Sequence, residues 1–260
     1  DCDGSIGYAS LFTSHSSLVV DKSSPEISAI TVSRNPAKAG DLTINVFASD
    51  AVSGLRNSPT VEVTPYLGDS FNCLPVTHIS GNHYQTVYPV SGGHDGTAEI
   101  TVRAMDKAKN ASRLTDHSSL VVDTINPTFS HVTSQVLDNP ENPKYAKEGS
   151  TVLITFEASE ALKFDPVVKI NGNSAVQVSL HASLFTVHDV VYTFSYVVQP
   201  GDTNGQAEIL INGYDLASNY GEYATSSLRE SFEIDKMNPT VEVSTNSDLI
   251  ANPSPFSTNA

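Results

Sequence analysis

Tryptophan is absent from this 260-residue chain, cysteine and methionine occur twice each, and basic residues are scarce. Lys and Arg number 14 against 29 Asp and Glu, a net charge of −15. An acidic surface of that size repels phosphate backbones, so nucleic acid is not the expected partner. It suits a solvated surface, or one that holds divalent cations. Cys2 and Cys73 form no CxxC and cannot build a zinc framework. No apolar run approaches the roughly 20 residues of a membrane-spanning helix. The opening DCDGSIGYAS has neither the basic start nor the apolar centre of a signal peptide, so a secretion signal is expected outside this chain. None of the eight histidines forms HExxH, and GxSxG does not occur. His94-Asp95 and His188-Asp189 are chain neighbours, and neighbours on a strand point to opposite faces. Asp138/Glu141 and Glu157/Glu160 read as solvated charge. No enzymatic activity is expected.

What the chain has instead is repetition. HSSLVVD occurs at His15–Asp21 and again at His117–Asp123, each running on to a proline, and ESFEIDKMNP from Glu230 is a degraded third copy. Asp106-Lys-Ala-Lys-Asn110 matches Asp215-Leu-Ala-Ser-Asn219 at an offset of 109. The same offset of 109 pairs Gly96–Ile100 with Gly205–Ile209, and Ala37–Gly40 with Ala146–Gly149. Matched blocks at one offset mark an internal repeat of about 100–110 residues.

Within a repeat the period is two. Leu42, Ile44 and Val46 share one face, as do Ala98, Ile100 and Val102, with Glu99, Thr101 and Arg103 opposite. Val190, Tyr192, Phe194, Tyr196 and Val198 form a third such row. These are half-buried strands, and no segment carries a sustained helical stripe. Gly-, Pro- and Asn-rich turns punctuate them, as in NPAKAGD, GGHDG and PGDTNG. About seven short strands per repeat predict an all-β chain of tandem Greek-key β-sandwiches. The recurrent V-D-x-x-x-P then reads as exit strand, stiff joint and entry to the next repeat, since proline fixes φ and stops the strand. The expected layout is a last strand of a preceding repeat in 1–24, full repeats in 25–124 and 125–236, and a further repeat beginning in 237–260. The end strands are read as a slice of a longer array, or as donors to neighbouring molecules.

The run AKAGD–LTINVFASD, then GTAEITVRAMDKAKN, then LVVDTINP resembles the bacterial immunoglobulin-like repeats of secreted and cell-surface proteins. That resemblance implies an immunoglobulin-like sandwich, an extracellular or cell-surface location, and a structural or adhesive role without catalysis. Such repeats build stalks, surface layers and fibres, with neighbouring repeats, copies of the same chain or a cell-surface ligand as partners. The alternative role is an accessory spacer or glycan-binding module of a secreted hydrolase. The family signature ends a strand in D-x-x-G-N. Here Lys109 and Ser218 replace the glycine, and the following Asn is expected to take up the left-handed turn.

Calcium is a candidate cofactor, weighed against plain turn-capping. Asp50 and Glu160 follow the second strand of each repeat, Asp106 and Asp215 stand at the F–G turn, and Asp21, Asp123 and Asp235 stand at the joints. Calcium takes six to eight hard oxygens, and carboxylates at a joint stiffen it. The competing reading is that each Asp or Asn caps its own turn. Asp1-Cys-Asp3-Gly4 opens like an EF-hand, but Phe12 occupies the place of its bidentate Glu. Tyr220 and Tyr223 are the candidate glycan contacts, and Asn110-Ala-Ser112 is the glycosylation acceptor sequence. Residues 6–20 as a strand span roughly 45 Å, which holds Cys2 away from Cys73, so no bond between them is expected.

Overall fold

The computed structural model describes residues 20–68, 74–182, 190–225 and 230–242. Cys2, Cys73, the His188-Asp189 pair and most of the expected end strands lie outside the described residues. Eighteen strands and no helix are found among the described residues. Among the described residues no helix is long and apolar enough to cross a membrane.

The first seven strands are β1 (Glu26–Val32), β2 (Gly40–Ser49), β3 (Thr60–Thr64), β4 (Val76–Ser80), β5 (His83–Val90), β6 (Gly96–Met105) and β7 (Ala111–Val122). They form two sheets, ordered β1-β2-β5-β4 and β3-β6-β7. Named A to G in chain order, these are sheets A-B-E-D and C-F-G, the seven-strand immunoglobulin arrangement. The inner faces meet in one core. Leu42, Ile44 and Val46 of β2 and Ala98, Ile100 and Val102 of β6 have no exposed surface there. These are the rows that the alternation places inward. Thr101, on the outward row, is buried as well, and its Oγ1 meets Thr115 Oγ1 across the strands at 3.0 Å.

The second unit repeats the plan with β8 (Phe129–Val136), β9 (Tyr145–Ala146), β10 (Thr151–Ala158), β11 (Val167–Ile170), β12 (Asn173–Ser174), β13 (Val176–Ala182) and β14 (Val190–Val197). It is completed by β15 (Gly205–Gln206), β16 (Ile209–Tyr214), β17 (Tyr220–Ala224) and β18 (Glu233–Ile234). Its main sheets run β13-β14-β10-β8 and β12-β11-β16-β17. The short β9 pairs in parallel with β18, and the first unit keeps the same contact as a parallel bridge between Ala37 and Val122. Each unit has its own core, so each buries its apolar rows independently.

Tyr192, Phe194, Tyr196 and Val198 lie inward as the period of two requires. The hydroxyl of Tyr196 is satisfied within the fold. The turn after β14 brings back Asp202, only 4% exposed, and the phenol donates to its two oxygens at 2.7 and 2.9 Å. Gln199 N donates to the same carboxylate. Burial first, and then the carboxylate, push Tyr196 up to about 12.

This topology sets the location of the site. In each unit the segment after the second strand and the turn between F and G lie at one end. The last strand leaves from the other. The incoming joint therefore meets both loops of the unit it enters.

Candidate metal centres at the domain joints

Asp21, Asp50 and Asp106 come together at the entry of the first sandwich, each offering a carboxylate oxygen within 4.8 Å of the others. Asp123, Glu160 and Asp215 do the same at the entry of the second. Six of the seven candidate ligands thus fall into two equivalent triads. Asp235 is not in either. Its Oδ1 accepts from Met237 N at 2.9 Å, the same short turn that Asp123 makes with Ile125 N at 3.2 Å.

One member of each triad is fully buried and carries the turn. Asp106 accepts from Asn110 N and Asn110 Nδ2, both at 2.8 Å. Asp215 accepts from Asn219 N at 2.8 Å and Asn219 Nδ2 at 2.7 Å. The same amides then reach the joint. Asn110 Nδ2 donates to Asp21 O at 3.2 Å, and Asn219 Nδ2 donates to Asp123 O at 2.9 Å. The Asn of each D-x-x-x-N is therefore the hinge pin between turn and linker. Sequence pattern shows the Asp and the Asn but not this tie, which spans 89 and 96 residues. It also bears on glycosylation: the Asn110 nitrogen that would carry a glycan is engaged by Asp106 and Asp21.

The glycine position of the signature behaves differently from expectation. Lys109 and Ser218, not the asparagines, take the left-handed conformation, with φ of 73° and 70°. The Asn backbone is committed to its Asp, so the preceding residue must make the turn. A left-handed residue with a Cβ costs about 1–2 kcal/mol. Lys109→Gly is expected to stabilise the chain by about 1 kcal/mol. Urea unfolding checks it, and an unchanged or lower midpoint would show that Lys109 holds the turn by other means.

The two triads are electrostatically unequal. In the first, Asp21 accepts from Ser23 N, Ser23 Oγ and Ser53 N at 3.0, 2.6 and 3.2 Å. Hydrogen bonds from Ser23 and Ser53 lower its carboxyl to about 2. Asp50 Oδ1 gathers the amides of Val52, Ser53 and Gly54. Both act as turn caps. In the second, Glu160 accepts no hydrogen bond recorded among the described residues. Burial, then Asp123 and Asp215, raise its carboxyl to about 7. Burial also raises Asp123.

The joints have further ties that sequence reasoning passes over. Asp95 Oδ1 accepts from Thr124 N and from Thr124 Oγ1, fixing the linker where it leaves the first sandwich. Lys38 Nζ of the first sandwich donates to Ser218 O in the F–G turn of the second, at 3.2 Å. Gly221 lies so close to the linker that an added Cβ would stand 1.9 Å from Pro127 O.

Tyr220 and Tyr223 do not form one platform. They lie three apart on β17, so they face opposite sides of the sheet. Tyr223 packs against the second core. Tyr220 is exposed, pairs with Tyr214 at 5.2 Å between ring centroids, and donates its hydroxyl to Glu222.

No family model matches the chain, and no curated protein matches it. Solved structures do. By its strand order the chain is a tandem of immunoglobulin-like β-sandwiches. An I-band fragment of titin is similar with a TM-score of 0.47 and 11% identity, over 83% of this chain and 67% of that chain. A bacterial ice-binding adhesin of 1.5 MDa, from a study of its retention at the host cell surface, is similar with a TM-score of 0.45 and 15% identity. That match covers 83% of this chain and 67% of the adhesin chain. The likeness is one of fold.

Proposed function

We propose that the chain is a non-catalytic structural or adhesive segment of an extracellular or cell-surface protein, and that calcium at its joints sets its stiffness. The observation that carries this reading is the recurrence of the carboxylate triad. Each is assembled from an incoming joint, the loop after the second strand and the F–G turn. Opposed ligands of one calcium stand roughly 4.6–5.2 Å apart, which matches oxygens within 4.8 Å of one another. Three carboxylates in one place repel, and a divalent cation between them converts that repulsion into a clamp. Magnesium demands shorter bonds and keeps more of its water, so it suits the triad less well. The cation ties the linker to the unit it enters, and the Asp-x-x-x-Pro joint limits bending further.

The second joint is the more responsive. The donors around Asp21 and Asp50 already compensate the first triad, whereas Glu160 has only its like-charged neighbours. Protons compete for the same oxygens. Folded Glu160 holds its proton to about 7, against 4.5 for an unperturbed Glu. The folded state binds more protons in that window, so with chelator present stability rises as pH falls from about 7 toward 4.5. Calcium displaces that proton, so its stabilising effect weakens as pH falls through the same range. Glu160→Gln is expected to mimic the protonated form: more stable than wild type at pH 8 in chelator, and less responsive to calcium.

A thermal melt of the intact chain across calcium concentrations, against chelator, tests the reading. A cation at about a hundredfold over its Kd stabilises by about 2.7 kcal/mol. About 1 kcal/mol moves the midpoint of a 60–100-residue domain by roughly 4–8 °C. A rise of several degrees is expected. A flat response would leave every one of these aspartates a turn cap.

A further inference from the structure

The first sandwich carries a second polar feature, on its β3-β6-β7 sheet. Arg103 of β6 lies directly opposite Arg113 of β7 in the strand register, with Thr60 of β3 opposite Arg103 on its other side. Both arginines are exposed. Like charges directly opposed across strands destabilise a sheet. The nearest recorded compensation is Arg103 Nη2 to Glu62 Oε2 at 3.9 Å, at the outer limit of an ion pair. Arg113 makes no ion pair with a described carboxylate.

The repeat itself supplies the control. At the same register the second sandwich has Asn212 opposite Glu222, and Tyr214 opposite Tyr220 where the first has Met105 opposite Ala111. The fold therefore does not require the arginine pair. In a chain with 14 basic and 29 acidic residues, two of the five arginines stand directly opposed.

An open groove of about 460 Å³ lies over the pair, within the size range of small-ligand sites. Asn57, Ser58 and Thr60 line one part of it, and Met105 and Ala111 give it apolar surface. We propose that this groove binds an acidic saccharide. Arg103 and Arg113 take the carboxylate, since a planar guanidinium matches carboxylate geometry. Asn57, Ser58 and Thr60 supply the neutral donors and acceptors that ring hydroxyls need. Met105 and Ala111 cover the apolar face of the ring. An extended peptide would instead use the backbone edge of β7 outside its bridge with Ala37, whereas the charged and polar groups lie on the sheet face and the loop above it.

The test is a nuclear magnetic resonance titration of the isotope-labelled full chain with trigalacturonate, its fully methyl-esterified form, sodium sulfate, and an acidic pentapeptide. Trigalacturonate is expected to give saturable shifts at the amides of Asn57, Ser58, Thr60, Met105, Ala111 and Arg113. The ester is expected to bind at least about tenfold more weakly, a loss of about 1.4 kcal/mol. The double variant Arg103→Gln/Arg113→Gln is expected to lose the same factor while melting no lower than wild type, because a repulsion is removed. The proposal is overturned by no saturable shift at about 10 mM acid, by equal binding of ester and acid, or by undiminished binding in a folded double variant. It is equally overturned if sulfate alone binds as tightly, or if the peptide binds more tightly and shifts the β7 edge.

Discussion

Asp215→Ala is expected to lower the stability of the second sandwich by about 3 kcal/mol even in chelator. Its carboxylate is fully buried and accepts from both Asn219 N and Asn219 Nδ2. A buried donor left without a partner costs about 1–3 kcal/mol, and this substitution strands at least one. The freed Asn219 amide also loses its fixed orientation toward Asp123 O, so the joint loosens together with the turn. Asp106→Ala is the matched change in the first sandwich, with Asn110 and Asp21 O in the same places. Urea unfolding of each variant against wild type measures the loss. A cost well under 1 kcal/mol would show that water replaces the carboxylate and that the turn does not depend on it. The buried aspartates are thus turn caps and candidate ligands at once, and the two readings are complementary.

Gly221→Val is the second large effect, and it acts from the opposite side of the same joint. A Cβ at this position would stand 1.9 Å from Pro127 O and 2.9 Å from Pro127 C. The atom it meets is backbone, held beside a proline, so it cannot swing aside as a side chain would. Overpacking of this kind costs about 1–3 kcal/mol. The linker must lift from β17, and with it the carboxylate of Asp123. The variant is therefore expected to melt lower and to lose calcium response at the second joint, with the first joint unaffected. A melt superimposable on wild type, with unchanged calcium dependence, would mean that the linker does not run against β17 in solution. The first sandwich has Ser112 at the corresponding position, 109 residues earlier, so this close approach belongs to the second joint alone.

Much of the architecture can be read from local pattern. The alternation in β2 and β6 places Leu42, Ile44, Val46, Ala98, Ile100 and Val102 inward, because strand geometry leaves a period of two no other choice. The offset of 109 identifies the F–G turns, and turns that repeat must fall at equivalent places in the fold. The grouping of acidic residues into loop after second strand, F–G turn and joint follows from the same repeat. Which of them meet is a matter of topology: Asp21 precedes Asp106 by 85 residues, and no local pattern states that they touch. The left-handed residue sits one position before the Asn that tolerates that conformation, since the Asn is held by its Asp and leaves the turn to Lys109 or Ser218. Tyr220 and Tyr223 look adjacent in sequence but lie on opposite faces of β17. The Asp202–Tyr196 bond and the close contact at Gly221 have no sequence signature, as each depends on a loop returning to a particular atom.

The most direct measurement is isothermal titration of calcium into the chelator-stripped full chain, run beside Asp21→Asn and Asp123→Asn. These two carboxylates come from the joints and belong to neither core. Two binding events are predicted for wild type, the tighter one at the second joint. Asp21→Asn is predicted to keep only the tighter event, and Asp123→Asn only the weaker. An absence of binding heat in wild type, or variants that bind calcium as wild type does, would contradict the placement of the cation at the joints.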